Sequence, residues 1–195
     1  MFRFTTLVLA VCLAAVPVFS QSAPQPSRAA NPRAQEKPAG MHDPQQYVTV
    51  QFGPAYNLLP GYPVMTADLD GDGTEDAVFA VTAKNPLLDE AEYHYRTIDP
   101  YNTYFGFGDP RVTIQFAAQE GAPRLLAIVH DWRAETPKAK FVIINLPFEE
   151  LATARIAVKK KVLPCIVAKD RTGAVSSVYW NGKEYKWVDG DLAQP

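Results

Sequence analysis

Two cysteines, three histidines and little excess of charge of either sign are the first limits that this 195-residue chain sets on itself. Cys12 lies in the apolar N-terminal stretch, which leaves Cys165 alone in the body of the chain. One thiol cannot make an internal disulfide framework, and the apolar setting Leu163-Pro164-Cys165-Ile166-Val167 reads as a buried thiol rather than a nucleophile. Nineteen basic residues against 21 acidic ones give a net charge of −2, so no basic field exists to draw in nucleic acid. Lys159-Lys160-Lys161 is the only basic run and reads as a guard on an edge strand. Gly-x-Ser-x-Gly, His-Glu-x-x-His and paired-cysteine metal motifs are all missing. Apart from the N-terminus, no apolar stretch is long enough to span a membrane.

The N-terminus has a different composition. Arg3 precedes an apolar run from Leu7 to Phe19, and Val18 and Ser20 stand at −3 and −1 of a cleavage site before Gln21. That layout is a secretory signal peptide over residues 1–20, too short for a membrane anchor. Leu9-Ala10-Val11-Cys12 approximates a lipobox, but Val11 is bulky where a small residue is expected and the apolar run continues past Cys12. Residues 21–46 are rich in Pro, Ala, Ser and Gln and read as a disordered tether. The expected folded domain covers residues 47–191, with 192–195 as a tail. The expected location is outside the cytoplasm, secreted or periplasmic, after cleavage.

The chemistry is concentrated in Asp68-Leu69-Asp70-Gly71-Asp72-Gly73-Thr74-Glu75-Asp76. Aspartates at positions 1, 3, 5 and 9 of that loop can converge on one hard cation, and Ca²⁺ takes 6–8 oxygens at roughly 2.3–2.6 Å. Gly73 stands sixth, where calcium loops turn sharply and a left-handed backbone is easiest without a Cβ. The expected ligands are Asp68, Asp70, Asp72 and Asp76 by side chain and Thr74 by its carbonyl, with water completing the shell. An EF-hand would need Glu at position 12, which here is Phe79, and would need flanking helices. Pro63–Ala67 and Ala77–Val81 instead read as strands, so the loop closes a β-hairpin.

Thr66 to Val78, a DxDxDGxxD loop between apolar strands, resembles the FG-GAP (or VCBS) repeat known from integrin α-chain propellers and secreted bacterial proteins. Phe52-Gly53-Pro54-Ala55 echoes the eponymous motif. The resemblance implies a calcium-binding hairpin. It covers one hairpin of the chain, and a propeller of four or more blades needs far more residues than are present.

The remainder reads as mainly β. Tyr47–Phe52 alternates and predicts a strand, as does Arg111–Phe116. Leu125–Val129 and Phe141–Ile144 are continuous apolar runs that predict central strands covered on both faces. Asn85-Pro86 predicts a short helix start and Pro147–Leu151 a helical turn. Val178–Trp187 predicts a hairpin about Asn181-Gly182, with Val178, Trp180, Tyr185 and Trp187 on one face. The expected architecture is one compact, mainly antiparallel β domain with a calcium-loop hairpin and one or two short helices.

Three functional readings follow. The first is a non-enzymatic, calcium-stabilised exported domain with a binding or scaffolding role. The second is a calcium-dependent hydrolase with His130 and Asp131 in its site, which requires an open pocket at His130. The third is a carbohydrate-binding module using the aromatics of 93–107, where Tyr93, Tyr95, Tyr101, Tyr104, Phe105 and Phe107 crowd together. Asp99 and Asp109 offer oxygens for a second metal, at a spacing with no known geometry.

Overall fold

The computed structural model describes Met41 and residues 43–111 and 123–190. Strands β1 (Asn57–Leu58), β2 (Met65–Ala67), β3 (Asp76–Thr82), β4 (Arg96–Ile98), β5 (Arg124–His130) and β6 (Ala139–Ile143) form one sheet. Its order is β1-β3-β5-β6-β4, with β2 beside β1 along the outer edge of β3. All pairs are antiparallel except β4 with β6. Strands β7 (Glu150–Val158), β8 (Lys161–Lys169), β9 (Val175–Trp180) and β10 (Tyr185–Asp189) make a second, antiparallel sheet in the order β10-β9-β8-β7. The protein is mainly β, and the described residues form neither a closed barrel nor a propeller.

The first sheet is the middle layer. From one face Ala77, Phe79, Val81, Leu125, Ala127 and Val129 pack beneath helix α1 (Pro44–Phe52) through Val48 and Phe52. From the other, Val78, Ala80, Leu126, Ile128, Phe141 and Ile143 meet Ile166, Val178, Tyr185 and Trp187 of the second sheet. Burial on both faces is why β5 and β6 carry unbroken apolar runs instead of alternation.

Four expectations are corrected. Tyr47–Phe52 is helical: Asp43 accepts the amides of Gln45 and Gln46, Pro44 opens the first turn, and Gly53 ends the helix at φ 101°. Val48 and Phe52, four residues apart, then share the buried face. The Asn85-Pro86 helix start is displaced to α2 (Glu90–Tyr93). The Pro86 carbonyl, which a helix would need for an i+4 amide, accepts the hydroxyls of Tyr56, Tyr95 and Thr97 instead. Pro147–Leu151 makes no helical turn, because Glu149 N–H donates to the Lys169 carbonyl at 2.7 Å and draws the segment into the β7–β8 ladder. The Trp180 hairpin pairs Trp180 with Tyr185, so its loop has four residues, Asn181–Glu184, closed by Asn181 Oδ1 on the amides of Lys183 and Glu184. A two-residue shift keeps every side chain on its expected face, and Val178, Tyr185 and Trp187 are buried.

A third short helix, α3 (Pro100–Tyr104), exceeds the one or two expected. Met41 already packs in the core, so order begins before the expected boundary at Tyr47. The Arg111–Phe116 strand lies, but for Arg111, outside the described residues, as do the signal segment and the residues up to 40.

Candidate metal centre

The hairpin β2–β3 closes on the pair Ala67↔Asp76, which leaves 68–75 as the loop. Gly71 and Gly73 take φ 78° and 90°, turning successive amides inward. Asp68 Oδ1 accepts from Gly71 N–H at 2.7 Å and Asp72 N–H at 3.1 Å, and its Oδ2 accepts from Gly73 N–H at 3.0 Å. Leu69 points into the core and pins the loop's first turn.

Asp76 is the root of the site. It is 0 % exposed, and each of its oxygens accepts a backbone amide: Oδ2 from Leu69 at 2.7 Å and Oδ1 from Asp131 at 2.9 Å. One carboxylate therefore ties the aspartate loop to the β5–β6 turn. Burial pushes the Asp76 carboxyl above its usual range, against the pull of the amides and of His130.

Asp68, Asp70 and Asp76 each offer a carboxylate oxygen, all within 4.8 Å of one another. These three can hold a metal ion. Asp72 and Thr74 are turned toward each other: the Thr74 amide and hydroxyl both donate to Asp72 Oδ1, at 2.9 and 2.5 Å. Of the four expected carboxylates, Asp68, Asp70 and Asp76 converge and Asp72 lies outside that group.

Sequence reasoning missed Lys138. Its ammonium reaches Asp70 Oδ2 at 2.6 Å and Asp72 Oδ2 at 2.5 Å, from the β5–β6 turn, more than 60 residues away in sequence. Those carboxylates raise the Lys138 pKa, and Lys138 holds the Asp72 carboxyl well below the usual range. Arg133 pairs with Glu75 at 2.7 Å on the loop's far flank.

His130 is 1 % exposed, so no open pocket surrounds it. Its Nε2 lies 2.6 Å from the Tyr185 hydroxyl and its Nδ1 3.5 Å from Asp70 Oδ2, with Phe141 and Trp180 against the ring. Burial pushes its pKa down. The neighbouring Asp131 contributes its amide to Asp76 and sits at φ 54° in the turn.

The 93–107 aromatics divide. Tyr95 is buried against Phe52 and Tyr56. Tyr101, Tyr104 and Phe105 gather on Trp187 with ring centroids 5.1, 5.1 and 6.0 Å away, leaving Tyr104 61 %, Phe105 54 % and Phe107 65 % exposed. Asp99 is buried and spent on capping, accepting from Asn102 N–H, Asn102 Nδ2 and Asn145 Nδ2. Asp109 accepts the Arg111 amide at 2.9 Å. Asp99 thus caps α3 and ties it to Asn145, 46 residues on.

No family model, curated protein or solved structure matches the chain.

Proposed function

We propose that this chain is an exported β domain of the FG-GAP (VCBS) type that binds one calcium ion at Asp68–Asp76, the ion stabilising the fold while another face binds or scaffolds a partner. One observation carries the reading: the Asp68, Asp70 and Asp76 oxygens lie within 4.8 Å of one another. The choice of Ca²⁺ rests on the many flexible oxygen donors of the loop, since Mg²⁺ insists on near-octahedral geometry. The donor set is all oxygen, which suits a hard cation. Asp72 and Thr74 stand close enough in sequence to complete the shell. Export rests on the residues 1–20 pattern alone.

Calcium's part is structural in this reading, because the loop is rooted through Asp76 in two elements of the core sheet. Binding to the folded state alone adds about 2.7 kcal/mol when calcium stands at a hundred times Kd. For a fold of roughly 150 residues that raises the melting temperature by about 5–10 °C. Titration calorimetry should show one Ca²⁺ per chain with little competition from Mg²⁺, and chelator should reverse the thermal shift. No heat with either ion, or equal affinity for both, refutes the calcium assignment.

Burial of His130 favours a binding role over the hydrolase reading. Exposure of Tyr104, Phe105 and Phe107 supports a second role for the ring cluster as a carbohydrate- or protein-binding face. Retention on insoluble polysaccharides, lost in Tyr104→Ala and Phe107→Ala, tests the carbohydrate version.

A further inference from the structure

We propose that Lys138 is a tethered cation that competes with a divalent ion for the aspartate loop and so sets how tightly that loop binds metal. The inference rests on the calcium reading above and concerns the regulation of the same site. Lys138 is fixed at its backbone, where its N–H donates to the His130 carbonyl at 3.1 Å, just before β6. From there the ammonium bridges Asp70 and Asp72. The oxygen it contacts on Asp70, Oδ2, belongs to one of the three converging carboxylates, and the other, Oδ1, accepts the Asp72 amide. Both oxygens of Asp70 are thus engaged within the protein.

A divalent ion about 2.4 Å from Asp70 Oδ2 and an ammonium 2.6 Å from the same atom cannot coexist without close repulsion between like charges. Lys138 also occupies Asp72 Oδ2, while Thr74 occupies its Oδ1. Its withdrawal therefore exposes Asp70 and releases one oxygen of a fourth carboxylate in one movement. The lysine can withdraw: its side chain is half exposed, and a four-carbon stem carries the ammonium into water. The nearby Arg133 is already engaged by Glu75 and does not take its place.

The test is calcium titration of the full chain in three forms: wild type, Lys138→Met, which keeps the stem and removes the charge, and Lys138→Arg, which keeps the charge. Lys138→Met is expected to bind calcium several-fold to about tenfold more tightly, and Lys138→Arg to stay near wild type. Melted in chelator, Lys138→Met should unfold at a lower temperature than wild type, because the carboxylates have lost their counter-charge. In saturating calcium the two should melt alike. Equal calcium affinity in wild type and Lys138→Met overturns the competition while leaving the calcium reading intact. Heat from Lys138→Met alone supports the competition and overturns calcium binding by the wild type. No heat from either protein overturns both.

Discussion

Substitution at Asp76 separates what the loop needs in order to fold from what it needs in order to hold a cation. Asp76→Ala removes the acceptor of two amides, Leu69 N–H in the core and Asp131 N–H at the β5–β6 turn. A buried donor left without a partner costs about 1–3 kcal/mol. The Asp131 amide is only part-buried and can recruit water, so the pair together costs about 2–4 kcal/mol. For this size of fold that lowers the melting temperature by roughly 5–15 °C. Asp76→Asn keeps one acceptor oxygen and turns an NH₂ toward the other amide, but relieves the burial of a negative charge. Its cost should be nearer 1 kcal/mol. Thermal melts in chelator are the assay, since both losses exist without any metal. Asp70→Ala is the contrast: losing the Lys138 pair and the Asp72 amide contact, it should melt less far below wild type in chelator than Asp76→Ala does, and lose the response to calcium. If Asp76→Ala melts within about a degree of wild type in chelator, the two-amide clamp does not hold the loop and the argument fails.

Three further outcomes are expected. Gly53 sits at φ 101° and ψ 165°, a region nearly confined to glycine, and a Cβ there would lie 2.9 Å from Tyr93 Cε2. Gly53→Ala should therefore cost about 2–4 kcal/mol in urea unfolding, and a neutral result would contradict the helix end described. Burial pushes the Tyr47 hydroxyl up to about 12 and raises those of Tyr56, Tyr95 and Tyr185. Because the unfolded chain ionises its tyrosines near 10, the folded state binds more protons above that pH, and stability should fall as pH rises from about 10 toward 12. Tyrosinate absorbance of the native protein should accordingly lag that of the unfolded chain. Intact mass of extracytoplasmic protein should place the N-terminus at Gln21, whereas a chain beginning at diacylated Cys12 would make it a lipoprotein.

The parts that could be read from the sequence were those whose physics is local. Alternate aspartates with Gly73 in sixth place mark an oxygen-rich loop whatever surrounds it, and Asp68, Asp70 and Asp76 do converge. Unbroken apolar runs mark doubly covered strands, as β5 and β6 are. Helix α1 was hidden because Val48-Thr49-Val50-Gln51-Phe52 fits a two-residue period as well as a helical one. The deciding signal, Asp43 before Pro44, fell in a segment whose composition reads as tether. Lys138 and the His130–Tyr185 contact were beyond reach for another reason: partners 55 to 68 residues apart meet only through strand pairing. The Asn181-Gly182 turn failed in length and not in face, since the period-two rule survives a slip of two residues.

Helix α1 is the first of the described elements to leave a ribosome, yet some of its partners come much later. The Tyr47 hydroxyl donates to the Trp132 carbonyl and Lys140 Nζ to the Gln51 carbonyl, across separations of 85 and 89 residues. Val48 and Phe52 share one core cluster with the late Val142 and Ile144. A nine-residue helix is not stable alone in water, so during synthesis this segment leans on Tyr56, Phe79 and Tyr95 and lacks the rest of its packing until β6 emerges. Closing so large a loop places the domain among slow folders with a high contact order. An apolar segment left partly uncovered for that time is a ready target for a holding chaperone.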